Sequence, residues 1–297
     1  MTGTLLVSLD CEGKWGMADD PGMLKDDSIN DRTIRAAYDS LFRLFETSQI
    51  RATFAVVGLF VGGPSEARRH FGNVETEMAH AVWSRIPRRM LSTGDNSGWF
   101  YEELPRRILV SGQHEIASHG YSHLPFTYNG VSESTARYEL ECMRSLSEAN
   151  SWHIESMVFP RNEVAQVHLL SQYGIVRFRD GEQPNTRFVR AMRSLEEFNV
   201  LRRAELLPGD KTRVPAGRFV NWRSGLRRSV PSRVTVRRWQ HILDDAERRD
   251  RCAHLWFHPH NLITGSQQLE LVTRIVALAA ERVRRGTMRS LLFRELN

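Results

Sequence analysis

The chain has 297 residues, of which 41% are hydrophobic and 26% charged, and its 41 basic and 35 acidic side chains give a net charge of +6. An ordinary apolar fraction excludes a disordered or collagen-like chain. Three cysteines, Cys11, Cys142 and Cys252, with no C-x-x-C pair exclude a disulfide scaffold and fit a reducing compartment.

The opening stretch, MTGTLLVSLDCEG, has neither the basic flank nor the apolar length of a signal peptide, and no run of ~18 apolar residues follows, so a cytoplasmic address is expected. Thr4 to Leu9 reads as a buried strand ending at Asp10. Asp31 is placed to cap a helix whose apolar positions Ile34, Ala37, Leu41, Leu44 and Phe45 recur at helical spacing. Ala52 to Val57 is a second strand, closed by Gly58, and residues 64 to 108 hold two helical stretches around a polar loop. Glu115 to Ala117 leads a third strand into Ser118-His119-Gly120, and a helix follows near 133–149. Further strands are expected at Ser156–Phe159, Gly174–Phe178 and Ala253–Phe257, and a C-terminal amphipathic helix at 266–285. Strands alternating with helices imply parallel βα units, with 1–297 as a single domain. Residues 202–238 carry eleven basic and two acidic side chains, broken by Pro and Gly, and read as a basic loop insertion. The charge excess is local to that segment. Only Phe219 and Trp222 interleave with its arginines and no recognition motif accompanies them, so no nucleic-acid partner is expected. The segment suits a surface that draws an anionic substrate or a lipid carrier at a membrane surface.

Four predicted strand ends deliver reactive side chains to one face: Asp10-Cys11-Glu12, His119-x3-His123, Pro160-Arg161-Asn162, and Trp256-Phe257-His258-Pro259-His260. Alone, each has an ordinary reading as a capping carboxylate, a core histidine or a surface arginine. Together, two histidines and a carboxylate suffice to hold a divalent metal with open positions. The second carboxylate is then available as a base and His258 as a proton donor. That set describes metal-assisted hydrolysis of an amide or ester.

On these residues the chain resembles the polysaccharide deacetylases, the NodB-homology carbohydrate esterases. VSLDCE is similar to the first family motif, TFAVVG at Thr53–Gly58 to the second-strand signature, SHGYSH at Ser118–His123 to the His-x3-His metal motif, and LWFHPH at Leu255–His260 to the late motif with the acid histidine. The resemblance implies a distorted, incomplete, seven-stranded (β/α) barrel. It also implies removal of an N-acetyl or other small acyl group from a sugar, with Zn2+ as the cofactor. It makes His119, His123 and Glu12 the metal ligands and Asp10 the general base, with the two acids exchangeable and Cys11 a third option as ligand. His258 becomes the general acid, with His260 as fallback, and the backbone N–H of Gly120 or Tyr121 a contributor to the oxyanion site. Where the family shows Arg-x-Pro-x-Gly, this chain reads Pro160-Arg161-Asn162-Glu163. Arg161 is therefore expected either to orient the base or to contact substrate, with Asn162, Arg179, Trp256 and His260 as further substrate contacts. Trp15, Trp256 and Tyr121 stand either as sugar-stacking rings or as core. Variants of this kind resemble deacetylases encoded beside O-antigen genes, which act on nucleotide-linked, lipid-linked or oligosaccharide substrates. The rival readings are a metal-independent amide or ureide hydrolase of the same fold and a degenerate glycan-binding protein.

Overall fold

The computed structural model describes residues 2–18, 26–73, 81–127, 131–181, 199–220, 222, 229–265 and 267–296. Strand β1 (Gly3–Cys11) is buried along its whole length and is the axis of the fold. It is followed by α1 (Asp31–Ser48), β2 (Thr53–Val56), α2 (Gly58–Asn73), α3 (Ala81–Thr93), α4 (Leu104–Ser111) and β3 (Glu115–Ser118). Then come α5 (Glu133–Ala149), β4 (Ser156–Met157), β5 (Arg177–Arg179), β6 (Arg213–Val214), β7 (Arg218–Phe219), α6 (Ser232–Arg249), β8 (Cys252–Phe257), α7 (Gln268–Arg284) and β9 (Met288–Leu291). Helix α1 is capped one residue earlier than the sequence suggests. The Asn30 side chain accepts from Thr33 N–H, Thr33 returns the contact, and Asp31 instead takes Gly98 N–H at 2.8 Å.

The sheet runs β6-β5-β4-β3-β2-β1-β8-β7, with every neighbour parallel, and β9 is a further strand on β1. This eight-strand path with its ninth strand replaces the expected seven. Strand β1 is long enough to take two partners on one side: β9 along Gly3–Leu6 and β2 along Ser8–Cys11. Strands β6 and β7 lie inside the segment expected as a basic loop, which also supplies the first turns of α6; positions 221 and 223–228 of that segment lie outside the described residues. The two edges of the sheet are therefore consecutive pieces of one chain, joined by Pro215-Ala216-Gly217, and the sheet curls nearly shut at that seam. Proline lacks the ladder donor, and Gly217 sits at φ +77°, so neither continues a strand.

Alternation along the strands sorts the side chains. Leu5, Val7, Leu9 and Cys11 face the helices, in one core with Phe54, Val56, Leu255 and Phe257. Leu6, Ala55, Ala117, Val158 and Val214 face inward and form an apolar floor with Phe293. One step further along the same inward rows, the side chains are Ser8, Asp10, Glu12, His119, Arg179, His254 and His258. The polar ends of these rows converge at the C-terminal mouth of the barrel.

Candidate active site

Asp10 and Glu12 leave β1 on the inward face, while Cys11 between them points to the helices. Cys11 is fully buried in the outer core, and burial pushes its thiol well above the ordinary range. The parity of the strand thus removes Cys11 from the candidate ligands. Glu12 Oε2 lies 2.8 Å from His123 Nε2 and 3.2 Å from His119 Nε2, and all three side chains are buried. One donor atom from each of the three lies within 4.8 Å of the others. Val158 O accepts from His119 Nδ1 at 2.8 Å, which orients the ring and turns its Nε2 toward Glu12. Burial opposes the charge on Glu12, but His258 and His123, with hydrogen bonds from His119 and His123, hold its carboxyl well below the usual range. Two imidazole nitrogens and an ionised carboxylate in this proximity are a donor set for a divalent cation, and they match zinc chemistry.

The turn carrying the two histidines is clamped from behind. Glu139 on α5 accepts Ser122 N–H at 2.8 Å and Ser122 O–H at 2.7 Å, and also a hydrogen bond from the Tyr121 backbone. Gly120 N–H is taken by Ser118 Oγ at 3.2 Å. Both backbone donors expected at an oxyanion site are therefore spent on shaping the loop.

Asp10 is held by Arg179, not Arg161. Arg179 Nη1 donates to Asp10 Oδ1 at 2.8 Å and Nη2 to Oδ2 at 2.7 Å, with both side chains at most 2% exposed. Burial alone would raise the Asp10 carboxyl; Arg179, with smaller contributions from His119 and His258, brings it below the ordinary aspartate value. The guanidinium is itself fixed: Nη1 also donates to Ser8 Oγ at 3.1 Å, Nη2 donates to Asn162 Oδ1, and the group lies 4.5 Å from the Trp256 ring centre. Ser8 in turn meets His254 Nε2 at 2.9 Å, and His254 Nδ1 meets Pro215 O at 2.7 Å. Burial depresses His254 to about 3, so the ring is neutral, with Nδ1 donating to the carbonyl and Nε2 accepting from Ser8.

These contacts correct several expectations. Arg179 and Asn162 are placed as supports of the base: both Nη atoms of Arg179 contact Asp10, and Nη2 also donates to Asn162 Oδ1. Arg161 is exposed at the rim, in the left-handed region at φ +59°, and its positive charge contributes to the depressed pKa of His123, where burial is the main cause. Asn162 and His123 share that backbone region, at φ +58° and +64°, a concentration of strain typical of functional loops. Trp256 is 5% exposed beneath Arg179 and Phe219, Trp15 is fully buried with Nε1 on Trp99 O, and Tyr121 O–H donates to Glu66. All three rings are buried: Trp256 shares the inward parity of His254 and His258 but is covered by Arg179 and Phe219, and Trp15 and Tyr121 pack into the outer core. His258 stands at the mouth with its side chain 24% exposed, its Nε2 3.4 Å from Glu12 Oε1 and 3.9 Å from Asp10 Oδ2. His260 is buried and stacked against His258. Arg179 was legible as a strand-end arginine; nothing local in the sequence marks Ser8, His254 or Glu139, whose partners lie far along the chain.

No family profile matches the chain, and no curated protein matches it. Among solved structures, a candidate polysaccharide deacetylase from Mycobacterium smegmatis superposes over 97% of this chain and 93% of its own at 16% identity, with a TM-score of 0.51. Puue allantoinase superposes over 97% of this chain and 87% of its own at 14% identity, also with a TM-score of 0.51. A family 4 acetyl xylan esterase from Clostridium thermocellum, in complex with a cobalt ion, gives 0.49 at 14% identity over 99% of this chain and 89% of its own. At such identities the likeness defines the fold: the chain has the incomplete barrel of the polysaccharide deacetylases, as its motifs led one to expect. An allantoinase shares that barrel, so the substrate must be argued from the site.

Proposed function

We propose that the protein is a metal-dependent hydrolase that removes an N-acetyl or other small acyl group from a sugar in bacterial surface-polysaccharide or O-antigen biosynthesis, with residues 1–297 acting as one catalytic domain. The observation that carries this reading is the convergence of Glu12, His119 and His123 beside the ionised Asp10 and the partly exposed His258. Glu12, His119 and His123 would hold the ion, zinc by donor chemistry. Such an ion supplies polarisation of an acyl carbonyl and a lowered pKa for the attacking water. Asp10, kept ionised by Arg179, accepts the proton of that water. His258 at the mouth returns a proton to the departing amine. Glu139 keeps the His119–His123 turn in shape, and the Arg179–Ser8–His254 chain keeps Asp10 in place. The basic segment 202–238 supports a substrate bearing phosphate, on a nucleotide or a lipid carrier, and a peripheral position at a membrane surface. Free cysteines support a cytoplasmic location; among the described residues no helix is long and apolar enough to cross a membrane.

The test is acetate release from nucleotide-linked and oligomeric N-acetyl sugars by zinc-loaded protein, alongside His119→Ala. Release that EDTA abolishes, zinc restores and His119→Ala lacks is the expected result. Activity that survives EDTA on metal-free protein overturns the metal mechanism in favour of metal-independent amide or ureide hydrolysis. Background release from both proteins across the panel favours a glycan-binding role.

A further inference from the structure

Glu12 faces two pairs of histidines, and the mechanism above uses its contacts with one. Its Oε2 serves His119 and His123, while its Oε1 is turned to His258 Nε2 at 3.4 Å. We infer that Glu12, His258 and His260 form a second divalent-cation site that shares Glu12 with the first.

Three observations carry this. One donor atom from each of Glu12, His258 and His260 lies within 4.8 Å of the others, the same proximity as in the first triad. The rings of His258 and His260 are stacked at 5.0 Å with planes 22° apart, so the two imidazoles stand side by side at the rim. His260 is only 8% exposed, yet among the described residues its Nδ1 is buried without a hydrogen-bond partner. A buried imidazole short of a partner is costly unless something else satisfies the ring, and a coordinated cation does so. The local sequence produces the geometry: β8 ends at Phe257, and His258-Pro259-His260 turns directly into the short helix Asn261–Thr264, bringing two histidines to the same rim.

The chemistry of the second site follows from its ligands. A carboxylate that gives one oxygen to each of two ions is the bridging arrangement of two-metal centres, and imidazole with carboxylate selects a borderline cation such as Zn2+ over Mg2+ or Ca2+. Occupation of the second site consumes the nitrogen with which His258 would hand over a proton. The second ion therefore inhibits the proposed reaction: activity rises as the first site fills and falls as the second does.

Equilibrium dialysis of the full chain against Zn2+, with metal analysis, tests the inference on the wild type, His119→Gln and His260→Gln, each checked for folding by circular dichroism. Two equivalents in the wild type and one in each variant is the expected result. A single equivalent that survives His260→Gln but not His119→Gln overturns the second site and leaves the proposed function standing. A single equivalent with the opposite dependence supports the second triad and overturns the first. No bound zinc in any of the three overturns both. Should a variant not fold, Co2+ titration of the wild type decides: an exchange-coupled signal growing with the second equivalent supports the shared carboxylate, and an isolated-ion spectrum throughout overturns it.

Discussion

The carboxyl of Asp10 is almost wholly removed from water, and a lone aspartate there would protonate; the two parallel contacts from Arg179 reverse that outcome. Replacing Arg179 by Met leaves an uncompensated buried carboxylate, which costs roughly 3–5 kcal/mol at neutral pH. The pH dependence has a definite sign. A carboxyl held below its unfolded pKa adds stability above that unfolded value and loses it as the pH falls through the depressed one. In Arg179→Met burial raises the Asp10 pKa instead, so the stability gap to the wild type shrinks on acidification. Denaturant melts at pH 7.5 and 4.5 measure this, and a gap that stays constant would refute it. Arg179→Lys keeps the charge but not the fork, and about a 100-fold fall in kcat is expected from misplacement of the base. Arg161→Ala, at the exposed rim, should leave stability within about 0.5 kcal/mol. The contrast separates the arginine the motif suggested from the one the barrel uses.

At the scale of elements, the seam between β6 and β7 closes the barrel and holds the base. Pro215 O fixes His254, His254 fixes Ser8, and Ser8 contacts Arg179. Gly217 makes the seam possible: a Cβ there would lie 2.7 Å from His254 Nδ1, at a φ that L residues avoid. Gly217→Ala should therefore destabilise the protein by at least about 1–3 kcal/mol and lower kcat as well, whereas Gly209→Ala, in open space, should be near neutral; thermal melts and acetate release read the two together. The seam also shows where sequence reading stops. Helices α5 and α7 are legible because burial on one face imposes a period over many residues, and β1 and β8, buried on both faces, because they are apolar runs. Strands β6 and β7 have two residues each, too few for any period, and they lie among arginines that suggest a loop. The site divides in the same way. Asp10, Glu12, His119, His123 and His258 are marked by their places at strand ends, but the partner of Asp10 arrives from a strand 169 positions away, and no local pattern encodes that pairing.

The whole molecule separates chemistry at the mouth from stability at the floor, as barrels of parallel strands do. The floor is plugged by the short helical turn Phe293–Glu295: Phe293 is fully buried, Arg51 forms a forked pair with Glu295, and Arg177 donates to Leu296 O. At its centre lies another buried acid, Glu115, which accepts Thr53 O–H at 2.8 Å and Ser156 O–H at 2.6 Å and receives Arg294 N–H at 3.4 Å. Among the described residues no guanidinium pairs with it as Arg179 pairs with Asp10, and burial outweighs the hydrogen bonds, so its carboxyl is pushed up. The sign is opposite to that of Asp10. A raised carboxyl contributes stability below its unfolded pKa and loses it as the pH rises through the folded value. Glu115→Gln removes the buried charge and keeps the shape, since the hydroxyl of Thr53 or Ser156 can rotate to accept from the new amide. The variant should match the wild type near pH 4.5 and be the more stable of the two at pH 7.5. Urea denaturation at the two pH values checks it: a variant less stable than the wild type at pH 7.5 would show that the ionised carboxylate itself holds the floor together.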